Sequence, residues 1–314
     1  MPMMTPTRNL KSTIAAIALL LSISIGGAPC KAQDDEAANT SRFVKEVLKD
    51  EYRKTDPPAT APVFRWDFSK ADGVSAYSYT QEVSNSTTSA LWGNSGPMRQ
   101  EISGNGVLLV RSQGNGTAEM VLKDMKMSMK IGAGLEGPKT MEQQMPPIAI
   151  QGVKEDGSGS CGDSPQYEVF KDLFPLPPQT LMVGESVDVP AQMPFNVSGS
   201  VLKVTGHTRI TLAQYVDIGG KTCAQFNVDT YISDLKIPPE MEGEYKFSSR
   251  DTSVYYFDVA SREFISGTIA SMTQFSIDAP MPQIDMPGEN TSDLPKRAQM
   301  SMQSDNLVRV KLQE

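Results

Sequence analysis

The chain has 314 residues, with 37 acidic against 29 basic side chains and a net charge of −8 at pH 7. An acidic balance of this size excludes nucleic acid and anionic membrane surfaces as natural partners, because both would repel it. Its 24 glycines and 22 prolines make it turn-rich, as antiparallel β proteins are.

Arg8 and Lys11 form a positive n-region ahead of residues 14–25, an uncharged run of small and apolar side chains. That run has the length of a signal h-region and is short of the roughly 20 residues that span a bilayer. Cutting after Ala32 leaves small residues, Cys30 and Ala32, at the two restricted positions and starts the mature chain at Gln33. A rival cut would acylate Cys30, with Pro29 standing where Gly or Ala is usual. Residues 1–32 therefore read as a signal peptide, and the expected location is periplasmic or extracellular. The mature part keeps 26 basic residues against 37 acidic ones, a charge of −11. No other apolar run is long enough to span a membrane.

Residues 33–39 are acidic and polar and read as a disordered tail. Residues 40–54 read as a helix, with Phe43, Val44, Val47, Leu48 and Tyr52 on one stripe and Thr40 or Ser41 as N-cap. Pro57 and Pro58 end it, and a linker reaches residue 62. From Val63 the period becomes two: Phe64, Trp66 and Phe68 alternate, and residues 76–81 follow suit. Asn105-Gly106 and Asn115-Gly116 read as hairpin turns flanking a strand at 107–110. Residues 117–131 form a long strand, with Met125, Met127, Met129 and Ile131 on one face and Lys126, Ser128 and Lys130 on the other. Residues 132–147 and 155–165 read as loops. Strands resume at Val187 and Val189, at 201–212, after the Gly219-Gly220 turn, and as a hairpin around 260–262. Residues 280–295 read as loop, and a last strand spans 307–312.

Residues 118–131 and 224–237 share their alternation and a Lys-Ile finish, which suggests two weakly repeated β units sharing one sheet or core. The expected organisation is a tail, helix and linker at 33–62, a β domain at 63–282 with candidate halves 63–153 and 174–282, and a loop with closing strand at 283–314. The fold class is mainly β: extended, curved antiparallel sheet with a short N-terminal helix.

Several segments together resemble a bacterial family of exported β-rich proteins of uncharacterised function. They are the proline-rich lead at 174–178, the run Val183-Gly184-Glu185-Ser186, the Gly-Gly-Lys turn before Cys223-Ala224, and Tyr255-Tyr256-Phe257-Asp258-Val259 entering a hairpin. Gly116-Thr117-Ala118-Glu119 fits as well. The resemblance covers residues 63–279 and rests on turns and strands. It implies an exported antiparallel β protein, similar in architecture to curved-sheet envelope proteins that hold lipophilic molecules, and it carries over no catalytic residue.

No catalytic or metal constellation emerges. His207 is the only histidine and lies in a strand, which removes the usual parts of zinc sites and Ser-His-Asp triads. Gly162-Asp163-Ser164 lacks a partner histidine block, and Ser200 to Lys203 has the nucleophile spacing of penicillin-binding proteins on a strand instead of a helix. Glu240, Glu242 and Glu244 could offer oxygens to calcium, though a solvated acidic loop explains them. Met125, Met127 and Met129 could offer thioethers to Cu(I), though an adaptable apolar face suffices. Cys161 and Cys223 are the two mature cysteines. They form a candidate disulfide closing a loop of about 60 residues, against the alternative of two free thiols. An outer-membrane barrel needs a lipid-facing apolar band, and the charged strand faces here do not supply one.

The expectation is a non-enzymatic, cofactor-free envelope protein whose partner is a lipophilic ligand or another envelope component. A structural or adhesive surface protein and a hydrolase with an unfamiliar acidic site are the alternatives.

Overall fold

Side chains that alternate in a strand sit on opposite faces, so a long period-two run demands a sheet with two chemically different sides. The computed structural model builds such a sheet; it describes residues 40–49, 51–89, 97–132, 139–158, 173–197, 200–239, 241–280 and 297–313. Among them are one helix, α1 (Val44–Val47), and the strands β1 (Arg53–Thr55), β2 (Ala71–Ser89), β3 (Met98–Gln113), β4 (Thr117–Gly132), β5 (Lys139–Gln144) and β6 (Ile148–Lys154). There follow β7 (Ser186–Val197), β8 (Ser200–Ile218), β9 (Lys221–Leu235), β10 (Glu244–Asp258), β11 (Glu263–Pro280) and β12 (Arg297–Leu312).

All twelve strands belong to one antiparallel sheet, in the order β1-β8-β9-β10-β11-β12-β2-β3-β4-β5, with β7 also on β8 and β6 also on β4. Along most of the sheet neighbours in sequence are neighbours in space; the exceptions are β1 on β8, β6 on β4, and the long seam where β12 pairs with β2 from Met300↔Ser89 to Leu312↔Tyr77. Both β stretches of the sequence thus share a single sheet.

The sheet is open but curled. Residues 64–68 run across the inside of one end without pairing as a strand. The Phe64 ring meets Phe226 of β9 edge-on at 4.8 Å, while the Trp66 N–H donates to the Glu155 carbonyl just past β6 at 2.8 Å. One short segment therefore touches strands far apart in the sheet order, which requires the sheet to wrap around it. Arg262, in the β10–β11 turn with φ +57°, donates to the carbonyls of Arg65 and Trp66 and accepts the Asp67 N–H through its own carbonyl. Phe174 completes this plug, with ring centroids 5.3 Å from Trp66, 5.3 Å from Tyr77 and 5.0 Å from Phe264. The largest buried cluster lies here, on the inner face.

Several sequence expectations need correction. The helix is four residues long, not fifteen. Val47 is buried against Val216, Cys223 and Tyr256 on the outer face, but Leu48 is 66% exposed. Beyond it the chain is drawn into edge pairing, Arg53 opposite Asp217 and Thr55 opposite Tyr215, and a strand wins over helix propensity. The helix begins after Phe43, which supplies no side-chain cap; Ser41 stands just ahead of it, its hydroxyl accepting the Phe43 N–H at 3.3 Å and its carbonyl the Val44 N–H at 3.1 Å. Asn105-Gly106 is not a turn. β3 runs straight through it, and the register shifts there because Asp124 (φ +55°) and Met125 together oppose Gly106. That bulge keeps both Leu122 and Met125 inside, and a Cβ on Gly106 would lie 3.2 Å from the Met125 sulfur. Asn115-Gly116 is a turn, with Gly114 and Gly116 at φ +74° and +78°. Within the expected loop at 132–147, β5 pairs with β4. Residues 281–296 lie outside the described residues, and the final strand begins at Arg297, ten residues earlier than expected.

Candidate functional site: the inner face of the sheet

The cross-strand register sorts the inner face into bands. At the plugged end Leu212, Phe226, Tyr255, Gly267, Val310 and Tyr79 stand side by side from β8 to β2. At the far end Phe247, Phe275 and Met302 form the corresponding row, and with Leu202, Val204, Ile232 and Met300 they make a second apolar cluster.

Between the two apolar ends lies a polar belt two residues deep. One row is Thr208, Thr230, Asp251, Ser271 and Asn306, on β8 to β12. The next is Ser249, Thr273, Ser304, Asn85 and Gln100, on β10, β11, β12, β2 and β3. Buried members are bonded to neighbours, as buried polar groups must be. Asn85 Nδ2 donates to Gln100 Oε1 at 3.3 Å, and Gln100 Nε2 to the Met129 sulfur at 2.9 Å. The Ser249 and Thr273 hydroxyls are 3.0 Å apart, and those of Thr208 and Thr230 are 2.9 Å apart. Most of the belt, including Thr208, Ser271, Ser304 and Asn306, is only half-buried, unlike the plugged end. Over this central stretch, from Thr208 to Gln100, Asp251 is the one charged side chain among the described residues.

The outer face is the reverse. Asp188, Arg209 and Asp229 stand in a row across β7, β8 and β9, Arg309 and Glu82 pair at 3.0 Å, and Glu101 faces Lys130. Arg209 holds the Asp188 carboxyl below its ordinary range, and Arg297 does the same for Asp278. The Gly220 N–H, then Arg53, lowers Asp217. These carboxylates are fixed as anions by their partners, the opposite of what an acid catalyst requires. A sheet with charges outside and neutral side chains inside faces water outward, whereas a transmembrane barrel turns apolar side chains out.

The three methionines of the expected apolar face point inward. Met125 and Met127 are buried in the main cluster, filling the room left by Gly104 and Gly106, while half-buried Met129 borders the belt opposite Met141 of β5, itself 61% exposed. Cys223 is a free thiol buried on the outer face beneath α1; its candidate partner Cys161 lies outside the described residues. Burial first, and Asp258 next, push the Cys223 thiol up to about 12. Gly162-Asp163-Ser164 and Glu240 also lie outside the described residues. His207 is exposed on the outer face beside Tyr231, and Lys203 lies on strand β8. Glu242 and Glu244 are exposed, and among the described residues no group of three His, Cys, Asp or Glu is placed to hold a metal. A cleft of about 570 Å³ lies between Asp56, Pro57, Pro58 and the turns at Gly220 and Ala260. Its buried Asp258 is committed to the turn, accepting from the Ala260 N–H at 2.9 Å and the Ser261 hydroxyl at 2.7 Å.

The belt has no charged cluster or sulfur motif to mark it in the sequence. Its signal was present in β12, where Met300, Met302, Ser304, Asn306, Val308 and Val310 form an uncharged face against Gln303, Asp305, Arg309 and Lys311.

No family model matches the chain, and no curated protein does. Among solved structures, a crystal structure of an outer membrane channel from Pseudomonas putida F1 is similar at a TM-score of 0.23 and 6% identity, over 82% of this chain and 100% of that one. At that score the likeness carries no weight for fold or function. Among the described residues no helix is long and apolar enough to cross a membrane.

Proposed function

We propose that this chain is an exported, non-enzymatic envelope protein that holds a lipophilic molecule against the inner face of its curled sheet, as a carrier or sensor. The resemblance to exported bacterial β proteins belongs to this reading. The observation that carries it is the segregation of charge: a water-facing outer surface encloses an almost uncharged inner face, half-open over its middle and apolar at its far end. A sheet that served only as a scaffold would have no need to keep charges off a half-exposed interior, since charged side chains are readily accommodated wherever water reaches.

The test is native mass spectrometry of the protein purified from its own envelope without detergent. A discrete added mass, removable by organic solvent, is the expected result. A clean apo mass would turn attention to a structural or adhesive role, with capture of an envelope protein as the next experiment.

A further inference from the structure

We propose that Met127, Met129 and Met141 bind one Cu(I) ion through their thioether sulfurs, at the β4–β5 margin of the inner face. Met129 and Met141 are direct cross-strand partners, and Met127 lies two residues along from Met129 on the same face. Cβ atoms paired across strands are about 5 Å apart, and those two residues along or on the diagonal about 7 Å. Each sulfur lies beyond its Cβ on an unbranched, freely rotating chain, so the three can converge on one ion without moving the backbone. Met125, which the alternation groups with them, is buried against Gly104 and Gly106 and takes no part. The third ligand comes instead from β5.

Packing does not account for Met141. It is the one apolar side chain of β5, a strand exposed along its whole length, and at 61% exposure it buries little. Facing it, Met129 is half-buried and accepts the Gln100 Nε2 hydrogen bond on one sulfur lone pair, which leaves the other. The pair meets solvent at the sheet margin, so an ion needs no cavity to reach it. Thioethers are soft ligands, matched to Cu(I) and poorly matched to hard divalent ions. Beside the three methionines their rows hold Ile102, Gly104 and Gln143, with no carboxylate or imidazole among them. Lys139, opposite Ile131 in the next row, opposes any cation, and a divalent one more strongly than Cu(I).

The experiment titrates the full chain anaerobically with Cu(I) in competition with bicinchoninate, and separately with Zn(II). Isotopic labelling of the methionine methyl groups shows by NMR which thioethers take the metal. The expected result is one Cu(I) per chain, moving the Met127, Met129 and Met141 signals, with Zn(II) held at least about tenfold more weakly. Met141→Leu alters an exposed edge position, where folding is spared, and should weaken Cu(I) at least about tenfold. Met129→Leu keeps the volume nearly constant and should do the same. Met182→Leu, at a methionine 65% exposed outside the strands, should change nothing. Absence of Cu(I) binding, equal binding of Zn(II), unchanged affinity in Met141→Leu, or an equal loss in Met182→Leu would each overturn the site. None of these outcomes touches the holding of a lipophilic molecule.

Discussion

Gly267 sits where two large side chains of the inner face need room. A Cβ there would lie 2.5 Å from Tyr255 Cδ1 and 3.3 Å from Val310 Cγ2. Its φ is not positive, so space alone decides, and Gly267→Ala should destabilise by about 1–3 kcal/mol through overpacking, measured as a lowered urea midpoint at unchanged slope. Cys223 gives a test of pH dependence. Its folded value is raised to about 12 from an ordinary 9.0, so the folded state prefers the neutral thiol. The stability it contributes is whole below about pH 9 and is lost as pH rises from there toward 12. A thiol reagent at pH 8 should modify Cys223 only at the rate of unfolding, while Cys223→Ser should not be labelled there at all. Neither residue announced its role: Gly267 is one of 24 glycines, and the burial of Cys223 depends on a helix nearly 180 residues away in sequence.

At the scale of elements, alternation was the legible signal, and it located most long strands. It could not tell a paired strand from an unpaired one. Phe64, Trp66 and Phe68 alternate like sheet residues yet form a plug, because their partners are rings of β9 and β11 rather than a neighbouring backbone. Local dipeptides misled in the same way. Asn105-Gly106 has the composition of a turn, but Gly106 is there to admit Met125, which lies distant along the hairpin. The plug depends on Phe174, which joins Trp66, Tyr77 and Phe264. Phe174→Ala should cost about 3–5 kcal/mol, and the loss should appear as increased hydrogen exchange of the Trp66 and Asp67 amides along with global destabilisation. The belt was the least legible element, since serine and threonine on a strand read as solvent-facing until register shows which face they share.

For the whole molecule the decisive feature is the seam between β12 and β2. The last strand lies between β11 and the first long strand, so the candidate halves 63–153 and 174–282 have no direct pairing with each other among the described strands. A chain ending at Pro280 should lose the link, expose β2 and β11 as bare edges, and fail to give a soluble folded product; one that folds and melts cooperatively would contradict this account. Pairing residues more than 200 positions apart also predicts slow folding, because loop closure precedes the contacts that reward it. The sequence displayed β12 as a strand but could not show where it inserts, because its partners are set by the register of the entire sheet.

At each margin of the sheet the outermost position is shared by two strands. β5 and β6 divide β4 between them, and β1 and β7 divide β8, with Pro190 withholding one amide donor along β7. A bare nineteen-residue strand such as β8 would be a template on which further copies could add indefinitely. Divided between two strands at each border, and with the twelve-residue β7 interrupted by Pro190 and Pro194, neither of which has an amide hydrogen to offer, the margins give an incoming chain no long uninterrupted ladder to extend into a fibril.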